Sequence, residues 1–141
     1  MYELKIVRER CHGYGRLRQV RTAQDVYEAF RDRLACLDRE EFLVVLLDGK
    51  NHILGFNQVS VGSLTAALVH PREVFKPAIL ANAAALILVH NHPSGDPEPS
   101  AEDRAITARL KQVGELVGIR ILDHVVIGDE RYASFAEQQL L

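Results

Sequence analysis

A chain of 141 residues, 48% hydrophobic, can bury the core of one ordinary globular domain and has no room for two. Its 17 basic and 19 acidic side chains leave a net charge of −2, without the cation excess that phosphate-backbone binding recruits. The longest apolar run, residues 83–89, falls far short of the roughly 20 residues that span a bilayer. Cys11 and Cys36 share no CxxC spacing, and nothing near Met1 resembles a secretory signal. The expectation is a cytoplasmic protein with two inert thiols and no membrane segment.

Residues 1–19 read as a basic N-terminal arm, and residues 20–141 as one domain. The stretch RERCHGYGRLRQVR, residues 8–21, holds five arginines. Contact with nucleic acid is its minor reading, and a solvated arm the major one. Thr22 with Asp25 three residues later has the spacing of a helix N-cap with an acidic N3, and Val26, Phe30, Leu34 and Leu37 then recur at helical spacing, predicting a helix over 23–37. FLVVLLD (42–48), the turn DGKN and HILGFNQVSV (52–61) form a hairpin with a largely buried first strand, and Gly62 ends the second. Pro71 suits the first position of a helix through Val74 and Ala78, which Pro77 must kink or restart.

ALILVHN (85–91) reads as a central strand. SAEDRAITARLKQVGELVG is a periodic helix with a stripe of Ile106, Leu110, Val113 and Val117 and Gly118 as C-cap. IRILDHVVIG is a further strand, and a turn and short tail close the chain. Strands alternating with helices predict an α/β or α+β domain with a mixed sheet flanked by helices, in which strands 85–91 and 119–128 are right-handed parallel neighbours if adjacent.

The chemistry concentrates where the central strand ends. His90 and His92 are two apart, so both imidazoles project to one side of the strand, placed to share one ion. Asp103, in the first turn of the next helix behind a proline-rich return, can supply a third ligand. Two imidazoles and a carboxylate suit zinc, and three protein ligands leave a tetrahedral ion one open position for water, the catalytic arrangement. Water there ionises near pH 7, and with a carboxylate to move its proton the site favours amide hydrolysis. Against this stands an ordinary helix capping box, since Ser100 and Asp103 have Ser-x-x-Asp spacing. His12, His52, His70 and His124 are read as structural, with His124, beside Asp123, the best reserve ligand among them. The tripeptide HNH is no nuclease signature, and the His-x-Glu and Cys-x-x-Cys of zinc deaminases are missing.

HNHPSGDPEPSAED fits the JAMM pattern of His-x-His, seven residues, Ser, two residues, Asp, and so resembles the MPN/JAB-domain proteins. VHPREVFKPAILANAAALILVHNHPSG and LDHVVIGDERYASFAE resemble, more narrowly, the bacterial RadC-type branch over roughly residues 20–141. The helix-hairpin-helix region that precedes this domain in full-length RadC proteins is not recognisable, so a short form is expected. The resemblance implies a cytidine-deaminase-like fold, zinc held by His90, His92 and Asp103, and Ser100 orienting the bound water or the oxyanion. It also implies a metallopeptidase or isopeptidase acting on a peptide or protein tail, with a DNA-repair name attached to the RadC branch.

One departure bears on catalysis. JAMM enzymes use a glutamate on an earlier strand as general base, which RadC-type proteins show a few residues before a Gly-Thr. Here Gly62 is followed by Ser63, and counting back puts Asn57 at that position with Gln58 adjacent. Neither amide accepts a proton at neutral pH. Glu41 is read mainly as an exposed strand-initial glutamate and becomes the substitute carboxylate only if this register is shifted, and the alternative function is a non-catalytic zinc-bearing binding module. Oligomeric state is not legible.

Overall fold

The computed structural model describes residues 1–3, 5, 7, 9–10, 17–62 and 69–141. Arg8, Cys11, His12, Arg16 and Ser63, and with them most of the basic arm, lie outside the described residues.

Among the described residues, five strands form one mixed sheet: β1 (Glu41–Leu47), β2 (Ile53–Val61), β3 (Ala85–Asn91), β4 (Arg120–Ile127) and β5 (Tyr132–Ser134), in the order β2-β1-β3-β4-β5. Three helices of the described residues accompany them: α1 (Ala23–Leu34), α2 (Pro71–Leu80) and α3 (Ala101–Val117). The architecture is α+β, as the alternation of periods implies, and β3 is the central strand. β1 and β2 form the expected antiparallel hairpin, and β3 pairs β4 in parallel across α3. Residues 18–20 are stitched to the hairpin turn: Ile53 N–H donates to Arg18 O and Val20 N–H to Asn51 O, each at 2.9 Å.

Strand alternation sends the apolar residues of β1 and β3 to opposite faces. Leu43, Val45 and Leu47 join Ile87 and Val89 against Val26, Phe30 and Leu34 of α1. Phe42, Val44 and Leu46 join Leu86 and Leu88 against α2 and α3. Both faces are covered, which is why these strands read as continuous apolar runs.

The helix signals hold with local revisions. Thr22 and Asp25 form a complete capping box, and α1 ends at Leu34, short of Leu37. α2 carries Pro77 without restarting, because the proline lies in the last turns of a ten-residue helix and removes one bond only. Gly118 takes the left-handed conformation (φ 76°) that caps α3. The stripe on α3 differs from the expected one: Ile106 and Leu110 are buried, but Val117 is 44% exposed. The buried positions are Asp103, Ile106, Thr107, Leu110 and Gly114. At Gly114 a Cβ would lie 2.5 Å from Ile119 O, so the helix packs there through backbone, and no side chain is needed further along.

Candidate metal centre

β3 delivers His90 to the α2/α3 face in the same row as Phe42, whose ring lies parallel to the imidazole with centroids 5.9 Å apart. His92 follows immediately beyond the strand, its backbone N–H donating to Ile127 O at 2.9 Å, so the strand geometry continues long enough to keep both rings on one side. The chain then returns through Pro93, Pro97 and Pro99. Gly95 (φ 87°) makes the turn, and its carbonyl accepts from Asp129 N–H at 2.8 Å. Gly128 sits so close beneath this return that a Cβ would fall 2.4 Å from Gly95 O and 2.7 Å from Pro97 Cδ. Two backbones therefore touch at the site's edge, and only glycine fits between them.

The return brings α3 in with Asp103 facing both histidines. His90 Nε2 lies 3.0 Å from His92 Nε2 and 3.2 Å from Asp103 Oδ1, and His92 Nε2 lies 3.0 Å from Asp103 Oδ2. Three ligand atoms bound to one zinc at about 2.0–2.1 Å in a tetrahedron would stand roughly 3.3 Å apart. The triangle is slightly tighter than that, so a tetrahedral ion fits with small adjustment. The ring of His92 is oriented for it: Nδ1 lies 2.8 Å from Asp96 O, which can only accept, so Nδ1 carries a proton and Nε2 is the nitrogen that faces the triangle. The set is a group able to hold a metal ion.

Electrostatics favour a cation at this point. Burial would push the Asp103 carboxyl up, but the hydrogen bonds from His90 and His92 outweigh it and hold the group well below the usual carboxylate range. The hydrogen bond to Asp103 raises the pKa of His92 against its burial, with smaller contributions from the Asp96 carbonyl and the charges of Asp103 and Glu40.

Ligand geometry and helix capping turn out to be compatible. Ser100 Oγ accepts from Asp103 N–H at 3.1 Å, and Ser100 N–H donates to Asp103 Oδ2 at 2.8 Å, a complete capping box. The same carboxylate still turns Oδ1 to His90 and Oδ2 to His92, because a carboxylate offers about four lone-pair sites. The bond that Ser100 Oγ accepts uses a lone pair and not its proton.

Glu41 does not serve the site. It alternates with Phe42 onto the α1 face, where Arg33 holds it at 3.1 Å with its side chain only 16% exposed, so its readings as substitute base and as exposed strand-initial residue are both corrected. Asn57 shares the face of His90 but is exposed, and it pairs with Val44, which pairs with Leu88, two residues short of His90. Glu40, which the sequence did not single out, precedes Glu41 and so falls on the site's face. Its carbonyl accepts from Gly62 N–H at 2.7 Å, continuing the ladder, and its charge acts on His92.

A bulge in β4 decides which faces Asp123 and His124 take: Leu86 pairs with Ile121 but Ile87 with Asp123, and Leu122 is extra. Asp123 therefore faces α1, where it accepts from His124 N–H (2.7 Å), Ser134 Oγ–H (2.6 Å) and Ala136 N–H (2.9 Å), and it is no reserve ligand. His124 is fully buried behind His90, with its Nε2 2.7 Å from His90 Nδ1 and its Nδ1 2.6 Å from Thr107 Oγ1. Phe135 stacks on its other side at 4.7 Å. It touches a candidate ligand and is not one itself. His52 pairs with Asp48 in the hairpin turn, and Cys36 is a free, exposed thiol. No helix among the described residues is long and apolar enough to cross a membrane.

A profile of the RadC-like JAB domain matches residues 20–140. Among curated proteins, a UPF0758 protein of Syntrophotalea carbinolica is 50% identical over 144 residues, covering 99% of this chain and 63% of the relative. A UPF0758 protein of Pelobacter propionicus is 58% identical over 118 residues, 84% of this chain and 52% of the relative. One of Desulfitobacterium hafniense is 52% identical over 122 residues, 86% of this chain and 54% of the relative. The chain thus matches between 52% and 63% of the length of these relatives.

Proposed function

The chain belongs to the RadC-like JAB domain family, and on that footing we propose that it is a zinc-dependent hydrolase of peptide or isopeptide bonds, of JAMM metallopeptidase type. The observation that carries the proposal is the closed triangle of His90 Nε2, His92 Nε2 and the Asp103 carboxylate, all mutually within 4.8 Å. A zinc ion held there would supply Lewis acidity toward a carbonyl and a nucleophile available near neutral pH. His90 and His92 give two neutral nitrogen donors, Asp103 gives the third donor and a negative charge, and the fourth position is left to the reactants. The proton of Ser100 Oγ is free to donate to the carbonyl oxygen as charge develops there.

Glu40 is the proton acceptor in this reading, replacing Asn57 and Glu41. It is the carboxylate on the site's face of the sheet, and the substrate is a peptide or protein tail entering beside it. A second reading, a non-catalytic zinc-bearing module that grips a protein tail, draws on the exposed amide of Asn57 at the position expected for the base. A DNA-repair role through the basic arm is a third; it requires binding that weakens steeply with salt and is lost with the arm.

The test is hydrolysis of a peptide library by wild type, Glu40→Gln and Asn57→Glu, each with its metal content known. Metal-dependent turnover that falls on the order of 10²–10⁴-fold in Glu40→Gln supports the proposal. Zinc without turnover in wild type, restored in Asn57→Glu, favours the binding module.

A further inference from the structure

We infer that Thr107 and His124 are positioning residues that fix the tautomer of His90, so that its Nε2 lone pair is the one presented to the ion. The inference follows from counting protons along one buried chain of contacts. Thr107 Oγ1 lies 2.6 Å from Asp103 O and 2.6 Å from His124 Nδ1. Contacts this short each need a proton between the two atoms. A hydroxyl has one, and a carbonyl has none, so the Thr107 proton lies on the Asp103 side.

The proton between Thr107 and His124 must then come from His124 Nδ1. The ring of His124 is wholly buried between Phe42 and Phe135, its two nitrogens facing His90 and Thr107 and not a carboxylate, where an imidazolium would cost several kcal/mol. It is therefore neutral, and its Nε2 is bare. At 2.7 Å that bare nitrogen accepts from His90 Nδ1–H. His90 thus carries a proton on Nδ1, and Nε2 is the nitrogen it turns to His92 Nε2 and Asp103 Oδ1, the one left to a metal ion.

The chain starts and ends at Asp103: its backbone carbonyl anchors Thr107 one helical turn on, and its carboxylate meets the histidine that Thr107 orients from two residues away. One residue thus helps set both its own donor atom and the tautomer of another. His92 reaches the same state by a separate bond to Asp96 O. The affinity part of this inference rests on the proposed metal reading; the direction of the hydrogen bonds does not.

Two-bond proton–nitrogen correlation spectra of the metal-free full chain at neutral pH are the first arm of the test. They should show a proton on Nδ1 of both His90 and His124. Zinc affinity, measured by competition with a chromogenic chelator, is the second arm, for wild type, Thr107→Val and Thr107→Ser. Valine keeps the shape but removes the acceptor, so His124 should lose its Nδ1–H preference and affinity should fall by roughly 10–100-fold; serine should restore both. An unprotonated Nδ1 on His90 or His124 in wild type overturns the inference, as does a Thr107→Val protein that binds zinc like wild type with tautomers unchanged. If valine prevents folding, the wild-type spectrum decides alone. Correct tautomers in a protein that ignores zinc uphold the hydrogen-bond chain and refute the metal reading instead.

Discussion

Gly128→Ala would test whether the return loop is held down by a backbone contact and whether that contact orients His92. The new Cβ would lie 2.4 Å from Gly95 O, 2.7 Å from Pro97 Cδ and 3.0 Å from Pro97 N, where ordinary contact begins at 3.4 Å. None of these atoms belongs to a side chain that can swing away, so the Gly95 carbonyl must retreat by about 1 Å, at a cost of about 1–3 kcal/mol for overpacking. Asp96, between the two clashing residues, carries the carbonyl that accepts from His92 Nδ1 at 2.8 Å. A shift of about 1 Å takes that bond beyond useful length, and loss of an orienting partner typically costs 10–100-fold in metal affinity. Urea unfolding and zinc competition on the same protein measure both effects. Gly49→Ala, where a Cβ meets nothing within 4 Å, is the control. A Gly128→Ala protein as stable and as avid for zinc as the control would refute the reasoning.

Other perturbations probe separate parts of the fold. Asp123→Ala orphans three donors, His124 N–H, Ser134 Oγ–H and Ala136 N–H. At about 1–3 kcal/mol for each buried donor it should cost at least about 3 kcal/mol in urea unfolding, and Asp123→Asn clearly less, since one oxygen survives. Equal losses in the two variants would mean the network is not what holds β5. Thr22→Ala removes half of the α1 capping box and should cost about 1 kcal/mol. Backbone hydrogen bonds from Arg21 and then Thr22 hold the Asp25 carboxyl below its ordinary value. Its stabilisation is therefore present above the unfolded-state pKa, about 3.9, and lost as pH falls through the lower folded value. The stability gap between wild type and Asp25→Asn should narrow on acidification below about pH 4, and a gap constant with pH would contradict this.

Local signals made most of the fold legible. The capping residues Thr22 and Ser100, the left-handed Gly118 and the apolar run of β3 each act within a few residues, and the His90/His92 pair follows from strand alternation alone. The errors arose where register is set by distant pairing. A one-residue step along a strand end exchanges faces, which is the difference between Glu41 beside Arg33 and Glu40 on the side of His92. The bulge at Leu122 does the same for Asp123 and His124, and it is defined only by the partner strand β3. Thr107 left a readable trace: it sits four residues after Asp103, inside a buried helix stripe, where a polar side chain needs a partner. The end of the α3 stripe is not legible in the sequence, because Gly114 packs through its backbone, to which side-chain periodicity is blind.

The central claim is that His90, His92 and Asp103 hold one zinc ion. Elemental analysis of the purified full chain beside His92→Ala and Asp103→Ala tests it most directly. About one zinc per wild-type chain is expected, with loss of the metal in both variants and the variants still folded. A folded wild-type protein that takes up no zinc from added metal, or variants that retain it at the wild-type ratio, would contradict it.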